Sequence, residues 1–160
     1  SAFGLQQRLN IPRAEAHMLI DNYFEKYPGV KAYIAQTISF AREHGYVQTA
    51  TGRRRYLRDI NSRSRAVASV AERLAMNSPI QGTAADILKL AMIRVHQALR
   101  AGEFKTKMLL TVHDEIVFDL YRAEQERVLP VIRQAMEGAL ALQVPLVVET
   151  GIGQNWLEAH

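Results

Sequence analysis

The chain has no cysteine among its 160 residues, which excludes disulfides, thiolate zinc sites and a cysteine nucleophile. Apolar side chains make up 48% of it, yet they never gather into a run of roughly 18 to 20 that would span a bilayer. Membrane insertion is not expected. No segment repeats and none is of low complexity, so solenoids and disordered tracts are not expected either. The opening Ser1-Ala2-Phe3-Gly4-Leu5 is neither an initiator methionine nor a charged-then-apolar leader. The expectation is a piece of a longer, cytoplasmic chain. What is present suits one globular domain, or parts of two, with a sizeable core. The formal net charge is +4, and fifteen of the twenty basic residues are arginine, which allows an anionic partner.

From residue 1 to about 45 the pattern is helical. Asn10-Ile11-Pro12 predicts a helix start with an Asn cap and a proline near the first turn. Pro28-Gly29 interrupts, and Val30, Tyr33, Ile34, Thr37, Ile38 and Ala41 then recur at helical intervals up to Gly45, where a left-handed cap suits glycine. A helical hairpin or one bent helix follows. Residues 46–50 and 56–60 read as short extended pieces around a Thr51-Gly52 turn. Residues 66–101 are helical again, with Pro79 kinking or dividing the helix and Gly102 closing it. Residues 108–120 read as strand on both sides of a polar centre, 124–142 as helix and 145–149 as strand. This order predicts an α+β fold, mostly helical, with a small antiparallel sheet covered on one face by helices. A soft boundary near Arg65 divides 1–65 from 66–160.

Three segments could carry chemistry. In residues 53–65, Arg53, Arg54, Arg55, Arg58, Arg63 and Arg65 stand against Asp59 alone, so the positive excess of the chain is local. Guanidinium forks match phosphate oxygens, and Tyr46 and Tyr56 nearby could stack on bases or sugars, so the cluster points to a polyanion; a solvated arginine surface is the plainer account. In residues 108–118, His113, Asp114 and Glu115 lie between two apolar strands with almost no spacer, which places them at a hairpin tip or its shoulder. Adjacent carboxylates there could supply hard oxygen ligands to Mg²⁺, and two such ions suit in-line phosphoryl transfer, although a turn with exposed acids is commoner. Arg73, Asn77 and Gln81 recur every four residues along one helix edge. Long donors of this kind reach minor-groove acceptors present on every base pair, and a merely polar helix face is the alternative. A non-catalytic DNA-binding module and a metal-dependent nuclease stay open, the nuclease requiring a further carboxylate from Asp86 or Asp119.

Ala71-Glu72-Arg73-Leu74-Ala75-Met76-Asn77-Ser78-Pro79-Ile80-Gln81-Gly82-Thr83-Ala84-Ala85-Asp86 and Val112-His113-Asp114-Glu115 strongly resemble the C-terminal part of the family A DNA polymerases, the bacterial DNA polymerase I type. Thr51-Gly52-Arg53-Arg54-Arg55, Val144-Pro145-Leu146 and Gly151-Ile152-Gly153-Gln154-Asn155-Trp156 support the resemblance in the family's order, over essentially the whole chain. It implies that residues 1–65 belong to the fingers subdomain and 66–160 to the palm. Asp114 then matches the palm metal-ligand aspartate, Glu115 its supporting neighbour, and His113 a residue near the primer terminus. Arg73, Asn77 and Gln81 match residues that touch the primer–template minor groove. The implied reaction is templated transfer of a nucleotide from a dNTP to a primer 3′-hydroxyl with Mg²⁺. The family's other metal-binding aspartate and its nucleotide-gripping fingers helix match nothing in these residues. The expectation is therefore that this stretch is inactive without the remainder of the polymerase chain.

Overall fold

A computed structural model of the chain describes residues 2–159. The fold is α+β and mostly helical, with two separate two-stranded antiparallel sheets rather than one. No helix among the described residues is long and apolar enough to cross a membrane. The chain forms two compact units, residues 1–48 with 52–79 and residues 49–51 with 80–160. Their division lies inside a helix, after Pro79, whereas the soft boundary near Arg65 coincides with the start of that helix.

The first unit opens with three helices, α1 (Ala2–Leu9), α2 (Arg13–Lys26) and α3 (Pro28–His44). Asn10 does not cap α2. It sits at the left-handed φ of 53° just past α1, and the Ile11 N–H reaches back to the Gln6 carbonyl at 3.3 Å. That six-to-one bond is a Schellman stop, which asparagine tolerates because its short side chain permits positive φ. The residue before α2 is Pro12, with no side-chain cap. Pro28 opens α3 at its first turn, where a missing N–H costs nothing, and Gly45 at φ 76° ends it as expected.

Past Gly45, β1 (Tyr46–Gln48) pairs with β2 (Arg54–Tyr56), so the second extended piece lies two residues earlier than 56–60 and carries two of the arginines. Leu57 and Ile60 turn inward and join Ala41, Val47, Ala71 and Ala75 in the core of this unit. At its edge Arg42 pairs with Glu72 at 2.6 Å.

Helix α4 (Arg65–Ala101) is continuous through Pro79. The Ser78 hydroxyl donates to the Leu74 carbonyl at 2.5 Å, in the turn where proline leaves the ladder one donor short. Gly102 does not supply the left-handed stop. Glu103 does, at φ 51°, with the Phe104 N–H bonded to the Leu99 carbonyl at 3.0 Å.

In the second unit β3 (Lys107–Val112) and β4 (Glu115–Asp119) form a hairpin, followed by a 3₁₀ turn (Arg122–Glu124) and α5 (Gln125–Glu137). Val95 and Leu99 of α4 pack on Val128 and Ile132 of α5, and Phe118 and Leu120 close over them. The four-residue period of these pairs is why the two helices meet along one apolar stripe. Glu124 fastens the hairpin base. Its carboxylate accepts the Lys105 and Thr106 N–H groups at 2.9 and 3.0 Å and the Thr106 hydroxyl at 3.1 Å.

Helix α5 ends at Glu137, well short of 142, because Gly138 and the Arg94 guanidinium on its carbonyl terminate it. The strand expected over 145–149 does not form. A short β-branched apolar run alone does not make a strand: no described backbone pairs with this segment, the Val148 N–H donates to the Glu137 carboxylate at 3.2 Å instead, and Val147 points into solvent. The last described element is the single turn α6 (Trp156–Ala159).

Candidate functional site

Val112 and Glu115 are directly paired, so His113 and Asp114 form a two-residue tip between β3 and β4. A tight hairpin twists correctly only if its first or both central residues have positive φ, the positions that glycine and asparagine usually fill. Here the first central residue is His113, at φ 54°. The hairpin thus holds a ring where a small residue fits more easily, and it lifts the Asp114 carboxylate into solvent beside it. Both tip residues are exposed, and Glu115 is half-buried. The Trp156 indole Nε1–H donates to Glu115 Oε2 at 3.2 Å.

The strands below the tip are irregular. Met108 pairs with Phe118 and Leu110 with Val117, so Leu109 is an extra residue, a bulge that shifts the register of β3. Leu109 and Leu110 are 58% and 53% exposed. The hairpin therefore shows a greasy flank close to an acidic tip.

Among the described residues, no group of three or more His, Asp or Glu side chains is placed to hold a metal ion. Asp119 pairs with Lys107 at the far end of the hairpin, about 16 Å from the tip at strand rise, and buried Asp86 accepts the Thr51 hydroxyl at 2.6 Å. Neither completes a nuclease-type carboxylate set around Asp114. Asp114 and Glu115 do fit part of an oxygen shell, because Mg²⁺ takes one or two protein carboxylates and fills its other positions with water and phosphate oxygens.

In the first unit, Arg53, Arg54 and Arg55 are all exposed, the last two on β2. Tyr46 and Tyr56 are cross-strand partners with ring centroids 5.8 Å apart, and the Arg54 guanidinium lies 4.5 Å over the Tyr46 ring. Phe40 and His44 extend this row, stacked at 4.1 Å. Arg73 and Asn77 are exposed on the stretch of α4 belonging to this unit, and Gln81 is exposed on the stretch belonging to the other. Sequence reasoning gave Trp156 no separate role, although Asn155 followed three residues later by Glu158 is a readable capping signal.

A model of DNA polymerase family A matches residues 1–158. The chain belongs to that family. It is 50% identical over 159 residues to DNA polymerase I of Streptococcus pneumoniae, covering 99% of this chain and 18% of that protein. It is 48% identical over 160 residues to DNA polymerase I of Pseudomonas aeruginosa, covering 100% of this chain and 18% of that one. With the thermostable DNA polymerase I of Thermus thermophilus it shares 48% over 159 residues, 99% of this chain and 19% of that protein. This family A chain thus spans less than a fifth of the length of these relatives. Among solved structures, the polymerase domain of Pol1 from M. smegmatis, in complex with DNA primer–template and dNTP, is similar with a TM-score of 0.95 and 43% identity, covering 99% of this chain and 28% of that one.

Proposed function

We propose that this family A chain is a piece of a DNA-directed DNA polymerase in which residues 1–65 form part of the fingers and residues 66–160 the C-terminal part of the palm. The observation that carries the reading is the two-residue tip: a paired hairpin presents the Asp114 carboxylate, exposed and next to Glu115, with only His113 sharing the turn. A rigid strand pair suits a group that must sit accurately against reacting atoms, since small misplacements cost rate steeply.

Asp114 and Glu115 would be the carboxylates that hold Mg²⁺. When bound, Mg²⁺ lowers the pKa of a coordinated hydroxyl and neutralises phosphate charge during transfer. His113, beside Asp114, would lie against the primer end and position its 3′-hydroxyl, whose oxygen bonds to the α-phosphorus of the dNTP as pyrophosphate leaves. Arg73, Asn77 and Gln81 would donate to minor-groove acceptors of the primer–template, which are the same for every correct pair and so report duplex shape rather than sequence. Arg53, Arg54 and Arg55 would engage phosphates as charged forks.

One exposed aspartate and one glutamate are too few to hold two ions in line, so the stretch by itself would not synthesise DNA. The remainder of the polymerase chain would bring further carboxylates and the nucleotide grip, and would cover the exposed Leu109 and Leu110 flank. The cytoplasm, where bacterial DNA lies, is the matching location. The test uses the full-length polymerase that carries this segment. Asp114→Ala should cut primer extension by about a hundred- to a thousandfold, in keeping with loss of a charge-stabilising group, while DNA affinity stays within about twofold. Normal extension by that variant would refute the assignment.

A further inference from the structure

We propose that Trp156 is a positioning residue. Its indole N–H holds the Glu115 carboxylate in one orientation at the hairpin tip, and the closing segment of the chain is built to deliver it there. This rests on the reading of Asp114 and Glu115 as the reacting centre.

A half-buried glutamate on a strand end has several rotamers available and loses entropy when confined to one. A charge-assisted N–H bond at 3.2 Å offsets that loss and selects a single orientation. The donor comes from 41 residues away, so something must hold it in place. Helix α6 has only four residues, too few for backbone bonds alone to sustain. Side chains sustain it instead. Asn155 Oδ1 accepts the Glu158 N–H at 3.1 Å, and the Glu158 carboxylate reaches back to the Gln154 N–H at 2.9 Å and to Asn155 Nδ2 at 2.7 Å. This reciprocal pattern is a capping box shifted by one residue, and it fixes the position at which Trp156 starts the turn.

Two glycines let the turn fold back on the segment before it. A Cβ on Gly151 would collide with the Ala159 carbonyl oxygen, and one on Gly153 would lie 2.5 Å from Glu158 Cβ and 2.7 Å from the Ala159 nitrogen. The Gly151-Ile152-Gly153 string is therefore a docking bed for α6. Trp156 is itself 49% exposed, so burial of its ring does not explain its placement as well as its directed N–H does.

The experiment uses the full-length polymerase. Trp156→Phe keeps the ring and deletes the donor. It should lower kcat for primer extension by about tenfold or more, the worth of one hydrogen bond to a charged group, with KM for dNTP and the melting temperature unchanged. Glu115→Ala should lower kcat itself, and adding Trp156→Phe to it should produce no further loss, because the two residues act as one unit. Gly153→Ala, which displaces the turn without touching the indole, should reproduce the kinetics of Trp156→Phe. An unchanged kcat for Trp156→Phe overturns the proposal, as does the same fold-loss on both backgrounds. Loss of function in Asp114→Ala and Glu115→Ala together with additive Trp156→Phe would remove only the role of Trp156. Normal extension by Asp114→Ala and Glu115→Ala would remove the reacting centre and this role with it.

Discussion

Val112 and Glu115 face each other as the last pair of the β3–β4 ladder, and of the two residues between them His113 takes the positive φ, at 54°. A non-glycine residue in that region costs about 1–2 kcal/mol, against about 0.5–1 kcal/mol of extra backbone entropy lost by a glycine. His113→Gly should therefore leave stability unchanged or raise it by up to about 1.5 kcal/mol, whereas His113→Val, branched at Cβ, should lower it by about 1–2 kcal/mol. Chemical denaturation of the full-length protein measures both. A destabilised glycine variant would show that the imidazole is held by contacts stronger than its backbone strain.

The Glu124 carboxylate at the hairpin base sets an acid limit. Its burial acts to raise its pKa, but the Lys105 and Thr106 N–H groups, the Thr106 hydroxyl and the Lys105 charge outweigh burial and hold it below the ordinary carboxylate value. The unfolded chain therefore takes up this proton at higher pH than the folded one does. The stabilisation is complete above the ordinary value and fades as pH falls through the lowered one. Melting temperature followed from pH 7 to about 3 should fall less steeply in Glu124→Gln than in the parent, from a lower starting point at neutral pH. Parallel curves would mean that Glu124 does not contribute to the acid limit.

Val128 is fully buried against Val95 under the hairpin. Val128→Ala removes two methyl groups from a site that the helix backbones keep from collapsing. It should cost about 2 kcal/mol in urea unfolding. Val70, 48% exposed on α4, serves as the contrast, and Val70→Ala should change stability by less than about 0.5 kcal/mol.

The arginines of β2 should reveal themselves through salt. If Arg54 and Arg55 each neutralise one phosphate, replacing both with alanine in the full-length polymerase should lower the slope of log affinity against log salt by about 1.8 for duplex DNA, nearly equally for every sequence. An unchanged slope would leave Arg54 as a cover for the Tyr46 ring, where its guanidinium already lies at 4.5 Å.

Much of this molecule was legible from neighbours in the chain. The glycine stop at Gly45, the hairpin around His113 and Asp114, and the helices that supply the core follow from contacts within a few residues, where backbone sterics and side-chain period decide. The misreadings have physical causes too. Asn10 favours both a helix start and a left-handed stop, and the Ile11 to Gln6 bond selected the stop. Glu103 took the left-handed position next to an available glycine because Phe104 folds back onto the core beneath α5.

By itself, then, the order of residues determined where helices and the acidic turn would form, because those choices rest on local hydrogen bonds and on a period of 3.6 or 2. It also carried the short strings at residues 71–86 and 112–115 by which the chain resembles its family. Only the tertiary structure decided that residues 145–149 stay unpaired, since a strand exists through its partner. The same holds for the meeting of Trp156 with Glu115 and of Thr51 with Asp86, which lie 41 and 35 residues apart. Contacts at such separations form only when the folded core fixes both ends, and no pattern within either segment encodes that distance.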